Sequence, residues 1–289
     1  MYERHFGFTA KPFALFPDPG FLFRSKQHAM ALTLLEYGLE SDAGFALLTG
    51  EVGSGKTTLV RQMIRDVGDD VAVGLISNTH RGFRSIVTWA LSALSIAPVD
   101  DTDIAAYEAL VDTCVREYGR GRRTLLVVDE AQNLSPDLLE ELRLLSNVNS
   151  EKDLVLQIFL VGQPELRTIL SQPSLRQLAQ RIAVDFHLRP LDRDESRAYV
   201  IHRLIAAGGD PELFAEDVFD LLHSSAGGVP RLINQLCDMA LVYAYAERRR
   251  QIDAWLFEQV VRDRTATHSL PVFGRAGDAP RATSALGAG

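Results

Sequence analysis

The chain has 289 residues, 46% of them hydrophobic and 24% charged, enough to bury a substantial core and to form about one to two domains at roughly 150 residues each. Its 21 glycines, 12 prolines and two cysteines exclude collagen-like, disulfide-rich and strongly disordered classes. With 30 Lys and Arg against 38 Asp and Glu, the net charge of −8 leaves no global cationic field for holding a polyphosphate backbone.

The first 24 residues carry Phe6, Phe8, Pro12, Phe13, Phe16, Pro17, Pro19, Phe21 and Phe23. Prolines forbid a continuous helix while the rings must be buried somewhere, so residues 1–24 read as an extended arm packed onto the next domain. Residues 25–41 place Met30, Leu34 and Tyr37 at helical spacing and predict a helix. Short apolar runs at 45–49, 71–77, 124–128 and 154–161 then alternate with helical patterns. They read as strands buried on both faces, in a parallel sheet of βα units. A fifth run at 182–188 alternates (Ile182, Val184, Phe186, Leu188), as a half-exposed edge strand would.

After Pro190 the strand signals stop, and 192–207, 212–224, 230–248 and 252–264 read as helices separated by Gly208-Gly209 and Gly227-Gly228. The expected organisation is an arm at 1–24, an α/β domain at 25–190, a helical domain at 191–264 and a disordered tail at 265–289, which is rich in Ala, Gly, Ser and Pro. No run approaches the ~18 apolar residues of a membrane span, and the start lacks a signal-peptide pattern. The expected location is cytoplasmic, with Cys114 and Cys237 as reduced core residues.

Two motifs carry chemistry. Gly50-Glu51-Val52-Gly53-Ser54-Gly55-Lys56-Thr57 fits G-x-x-x-x-G-K-[ST], the Walker A loop, and Thr58 follows it. Glycines there allow a tight turn whose N–H groups cradle phosphate oxygens. Lys56 then reaches the β- and γ-phosphates, and the Thr57 hydroxyl ligates Mg²⁺. The required strand precedes the motif and a helical pattern, 56–67, follows it. Second, Leu125-Leu126-Val127-Val128 ends in Asp129-Glu130, a Walker B pattern. Asp129 suits Mg²⁺ or its water shell, and Glu130 suits the attacking water. Ser135-Pro136-Asp137 reads as an N-cap with Pro at N1, opening a helix to about 147 with Leu138, Leu142 and Leu145 inward. Together these residues bind, and are expected to split, a nucleoside triphosphate.

The order of these motifs, with Val161-Gly162-Gln163, Gln180-Arg181-Ile182 and Gly228-Val229-Pro230-Arg231, resembles the AAA+ ATPases. The opening Lys11-Pro12-Phe13-Ala14-Leu15-Phe16-Pro17-Asp18-Pro19, and Gly44-Phe45 leading into the loop, resemble more specifically the general secretion pathway protein A (ExeA-type) ATPases. That family also includes shorter ATPases linked to exosortase/exopolysaccharide systems and to pilus biogenesis. The resemblance covers about residues 1–263. It implies a three-layer α/β/α P-loop domain with a five-stranded parallel sheet, followed by a small all-α lid.

It further implies ATP and Mg²⁺ as ligands, Gln163 at the sensor 1 position and Arg231 at sensor 2. Arg181, or Arg176, would be an arginine finger acting on a neighbour's nucleotide, which requires a dimer or ring. The family's larger members continue into a membrane span and a peptidoglycan-binding region. This sequence contains neither, which favours the shorter kind acting through an inner-membrane partner. The expected function is an Mg²⁺-dependent ATPase driving assembly or regulation of envelope secretion or exopolysaccharide export. Two alternatives stay open: a DNA-associated AAA+ ATPase of transposition or loader type, and a nucleotide-gated scaffold with negligible turnover. The basic clusters Arg120-Arg122-Arg123 and Arg248-Arg249-Arg250 read as solvated charge, and the seven His show no zinc spacing.

Overall fold

The computed structural model describes residues 1–15, 19–41, 43–77, 85–97, 102–149 and 153–267. In chain order these form α1 (Glu3–Phe6), α2 (Lys26–Glu40), β1 (Phe45–Gly50), α3 (Lys56–Asp66), β2 (Val71–Ile76), α4 (Ile86–Ala93), α5 (Asp103–Gly119) and β3 (Arg123–Val128). There follow α6 (Pro136–Leu145), β4 (Leu156–Gly162), α7 (Glu165–Leu170), α8 (Arg176–Arg181), β5 (Ile182–Leu188), α9 (Arg193–Ala206), α10 (Val218–Ala226), α11 (Pro230–Ala246) and α12 (Ala254–Thr267). The chain divides into an α/β unit, Leu15–Leu191 with Val229–Arg231, and a helical unit that joins Met1–Ala14 to Asp192–Gly228 and the residues from Leu232 on. Among the described residues no helix is long and apolar enough to cross a membrane.

In the α/β unit the five strands are all parallel, in the order β2-β3-β4-β1-β5. Successive side chains of a strand point to opposite faces, and the buried clusters show it. Phe45, Leu47, Leu126, Val128, Ile158 and Leu160 meet residues of α4, α5 and α6 on one face. Ala46, Leu48, Leu125, Val127, Phe159 and Val161 meet α2 and α3 on the other. The result is the three-layer α/β/α arrangement. β5 lies at one edge with alternating burial. β2 occupies the opposite edge and is only partly buried, which corrects the expectation that it is buried on both faces: an edge strand has a neighbour on one side only.

Local signals explain the helices. The Ser135 hydroxyl accepts from the Leu138 N–H at 3.4 Å, with Pro136 at the first helical position of α6. Leu138, Leu142 and Leu145 are buried, each contributing about 2 kcal/mol by removal from water. In α2 the buried stripe is Ala31, Leu32, Leu35 and Leu39, whereas Met30 and Tyr37 are exposed. The helix forms where expected, but of the three residues used to predict it Met30 and Tyr37 face outward, and only Leu34 is partly buried against the core.

The helical unit departs from expectation at its first segment. Of the arm expected at 1–24, residues 1–14 belong to this unit and the part from Leu15 on to the α/β unit; the segment begins with helix α1, closed by Gly7 in the left-handed region. Tyr2, Phe8 and Phe13 are buried here, and the Phe13 ring meets Phe214 edge-on at 6.0 Å. The buried Arg203 guanidinium donates to the Pro12 and Ala14 carbonyls, which fixes the segment's course. α9 starts with a complete capping box, Asp192 with Glu195. The expected helix at 212–224 begins only at Val218, because the backbone before it pairs with Ile252: Ala215 N–H donates to Ile252 O and Ile252 N–H to Leu213 O, both at 2.9 Å. α12 runs to Thr267, three residues into the expected tail, and residues 268–289 lie outside those described.

Candidate functional site

β1 is buried throughout and ends at Gly50, so its carboxyl end delivers the chain directly into the loop that opens α3. Gly53 (φ +81°) and Gly55 (φ +102°) occupy left-handed backbone that side chains rarely adopt. This turn aims the loop at the N-terminus of α3, where unpaired N–H groups and the helix dipole favour an anion. The Lys56 ammonium donates to the carbonyls of Gly50 at 2.8 Å and Glu51 at 2.9 Å. Burial lowers its pKa, while the charges of Glu130 and Asp129 act to raise it. The Ser54 hydroxyl is buried and has no hydrogen-bond partner among the described residues. Val52 is exposed, and Thr58 lies partly buried one residue after Thr57.

Beneath the loop lies a support that sequence reading missed. His28 of α2 is buried and its Nε2 donates to the Ser54 carbonyl at 3.0 Å. A carbonyl can only accept, so this fixes a protonated Nε2, and Nδ1 meets the Ser25 hydroxyl at 2.8 Å. Nothing in local spacing ties residue 28 to residue 54.

The end of β3 supplies the acids. The Thr57 hydroxyl donates to Asp129 Oδ2 at 2.7 Å, and the Glu130 N–H donates to Asp129 Oδ1 at 2.9 Å. Burial pushes the Asp129 pKa up, and these two donors partly offset it. Glu130 sits in left-handed backbone, φ 54° and ψ 37°, unusual for a residue with a side chain. Its Oε2 accepts from Gln132 Nε2 at 2.6 Å and Gln163 Nε2 at 3.1 Å. Thus Lys56, Thr57, Asp129, Glu130 and Gln163 lie at the carboxyl ends of the adjacent strands β1, β4 and β3. Gln132, two residues past Glu130, escaped notice although its adjacency was a signal.

Arg231 is the first residue after Pro230 in α11 and clusters with the α/β unit. Its N–H donates to the Gly53 carbonyl at 3.2 Å, and a Cβ on Gly53 would collide with the Arg231 Cβ. Arg181 lies apart from this group: its guanidinium donates to the Arg143 carbonyl at 3.2 Å, to Asn147 Oδ1 at 2.9 Å and to the Ser146 hydroxyl. Arg176, at the start of α8, is exposed. A further network unnoticed in sequence joins Thr49 to His187 at 3.0 Å and to Arg167 at 2.7 Å, with Arg167 also paired to Asp185. Burial and the Arg167 charge lower the His187 pKa.

Comparison with known proteins gives the context. Residues 39–170 match the family described as AAA domain. General secretion pathway protein A of Aeromonas hydrophila is 39% identical over 253 residues, which cover 87% of this chain and 46% of that protein. The chain therefore spans about half the length of this curated relative. Among solved structures, the Aeropyrum pernix ORC2 protein in ADPNP-ADP complexes matches with a TM-score of 0.64 at 17% identity, over 89% of this chain and 72% of that one. The Thermotoga maritima RuvB Holliday junction branch migration motor matches with a TM-score of 0.54 at 17% identity, over 83% of this chain and 69% of that one. At these identities the structural likeness is one of fold.

Proposed function

Since this chain belongs to the AAA+ ATPase family that includes general secretion pathway protein A, we propose that it binds ATP with Mg²⁺ and hydrolyses it to ADP and phosphate. The observation that carries this reading is the meeting of the Thr57 hydroxyl and Asp129 carboxylate, 2.7 Å apart, beside the loop that holds the Lys56 ammonium. The residues fit the ligand: a hydroxyl–carboxylate pair is a hard-oxygen donor set suited to Mg²⁺, and the Ser54 hydroxyl, within the loop itself, is buried with no hydrogen-bond partner among the described residues. Thr57 and Asp129 would hold Mg²⁺, which supplies neutralisation of phosphate charge when bound.

This chain's residues do the rest. The loop N–H groups and Lys56 hold the β- and γ-phosphates, Lys56 exchanging its two carbonyl partners for phosphate oxygens. Glu130 orients a water and takes its proton as the water oxygen attacks the γ-phosphorus and the bond to the β-phosphate oxygen breaks. Gln163 contacts the γ-phosphate or that water, and Arg231 reaches the phosphates of its own subunit. In a dimer or ring, Arg176 or Arg181 serves a neighbour's nucleotide. Arg181 must first release its three partners in its own chain. The cycle drives assembly or regulation of an envelope secretion or exopolysaccharide export system, from the cytoplasmic side through an inner-membrane partner. The −8 net charge disfavours the DNA-associated alternative.

Calorimetry with MgATP and a phosphate-release assay test the reading together. Glu130→Gln is expected to bind ATP as wild type does and to turn over about 10²–10⁴-fold more slowly. Undiminished turnover removes Glu130 from the base role, and a flat calorimetric titration of folded wild type removes the whole reading.

A further inference from the structure

We propose that Gln132 is a positioning residue for the candidate base Glu130, tying its carboxylate to Gln163 at the end of the neighbouring strand. The inference rests on the ATPase reading above and deepens it. The turn that follows β3 carries Glu130 in left-handed backbone and continues into the 3-10 turn Ala131–Asn133, which contains Gln132. The Gln132 amide uses both ends. Its Nε2 donates to Glu130 Oε2 at 2.6 Å and its Oε1 accepts the Gln163 N–H at 3.0 Å. The ring closes through Gln163 Nε2, which donates to the same Glu130 oxygen at 3.1 Å.

Three side chains and one main-chain group thus form a cycle joining the ends of β3 and β4, which pair in register from Thr124↔Leu156 to Val128↔Leu160. The amide is held closely: a Cβ on Gly162 would lie 2.8 Å from Gln132 Oε1.

The chemistry asks for glutamine. A single planar group must donate to a carboxylate and accept from a main-chain N–H. Glutamate accepts from Gln163 but offers Glu130 no donor when ionised, and methionine has the length with neither function. With two amide donors on one oxygen, the carboxylate plane is set by Gln132 and Gln163 jointly, so a base needing hydrogen-bond reach of its water is oriented before substrate arrives. Because the Gln163 main chain is part of the cycle, a displacement of Gln163 is passed to Glu130.

The test compares Gln132→Met, Gln132→Glu, Gln163→Ala and the Gln132→Met/Gln163→Ala pair by steady-state ATPase kinetics, MgATP calorimetry and thermal melting. Gln132→Met is expected to melt as wild type, keep KM and ATP affinity within about twofold, and lose about 10- to 100-fold in kcat. Gln132→Glu loses at least as much, and remains informative should the methionine variant fail to fold. The double variant loses less than the product of the single losses, because both amides act through one carboxylate. In a Glu130→Gln background, Gln132→Met lowers the residual rate no further. Wild-type kcat in folded Gln132→Met, or fully multiplicative losses, overturns this inference and leaves the ATPase reading standing. Wild-type protein that neither binds nor splits ATP overturns both.

Discussion

The two units arrange their polar groups in different ways. In the helical unit several buried polar groups close on one another or on the backbone. The Tyr199 hydroxyl donates to Asn234 Oδ1 at 2.9 Å, Arg203 holds two carbonyls of the N-terminal segment, and Tyr2 bonds Asp238. Positive φ angles at Gly7 and Gly227 there serve to end helices. In the α/β unit, Gly53, Gly55 and Glu130 take positive φ just beyond the carboxyl ends of β1 and β3, and the buried Ser54 hydroxyl has no hydrogen-bond partner among the described residues. Three positive-φ residues and one unanswered hydroxyl thus meet at these strand ends, as expected when stability is given up locally for chemistry.

The largest effect that can break this contrast is Lys56→Ala. Removing the ammonium strips the loop of its one cationic side chain, and MgATP affinity is expected to fall at least about 100-fold, or some 2.7 kcal/mol, with little change in melting. Calorimetry checks it. Retained affinity would mean that the loop's backbone alone holds the ligand.

Arg203→Met is the counterpart in the helical unit. The methionine keeps the stem, but the Pro12 and Ala14 carbonyls lose their donor. At about 1–3 kcal/mol for each stranded group, a loss of about 2–4 kcal/mol is expected in urea unfolding, with ATP affinity within threefold of wild type. A drop in affinity matching that of Lys56→Ala would abolish the division of labour between the units.

How far this contrast could be read from sequence depends on the range of the interactions behind it. The β1 run, the loop glycines and the β3 run before Asp129 are contiguous, so the α/β core and most of the site were legible. Residues 25–41 show the limit of periodicity. Met30, Leu34 and Tyr37 satisfy helical spacing as well as Ala31, Leu35 and Leu39 do, and only the sheet underneath decides which stripe is covered. The destination of the N-terminal segment turns on Arg203, nearly two hundred residues away, and the His28 support on a carbonyl in another element. Residues 212–217 look helical until Ile252 takes their backbone hydrogen bonds. Each miss is a tertiary contact overriding a local preference.

The smallest effect uses the two cysteines, one in each unit: Cys114 on α5 and Cys237 on α11, both buried and free. Burial pushes the Cys114 thiol up to about 11 and Cys237 well above its usual range. At pH 8 only about one Cys114 in a thousand is thiolate in the folded state, so neither thiol is expected to react with a disulfide reagent until its unit opens. The sign for stability follows. Above pH 9 the unfolded thiols release protons that the folded ones keep, so stability falls as pH rises toward 11, by up to about 1.4 kcal/mol per unit for each thiol. Cys114→Ala should flatten part of that slope. Labelling of the single-cysteine variants in rising urea then reports each unit separately. A ligand bound only to folded protein stabilises the part that holds it, so MgATP should slow labelling of Cys114 more than of Cys237. Equal protection of both thiols would show that nucleotide binding stabilises the two units as one.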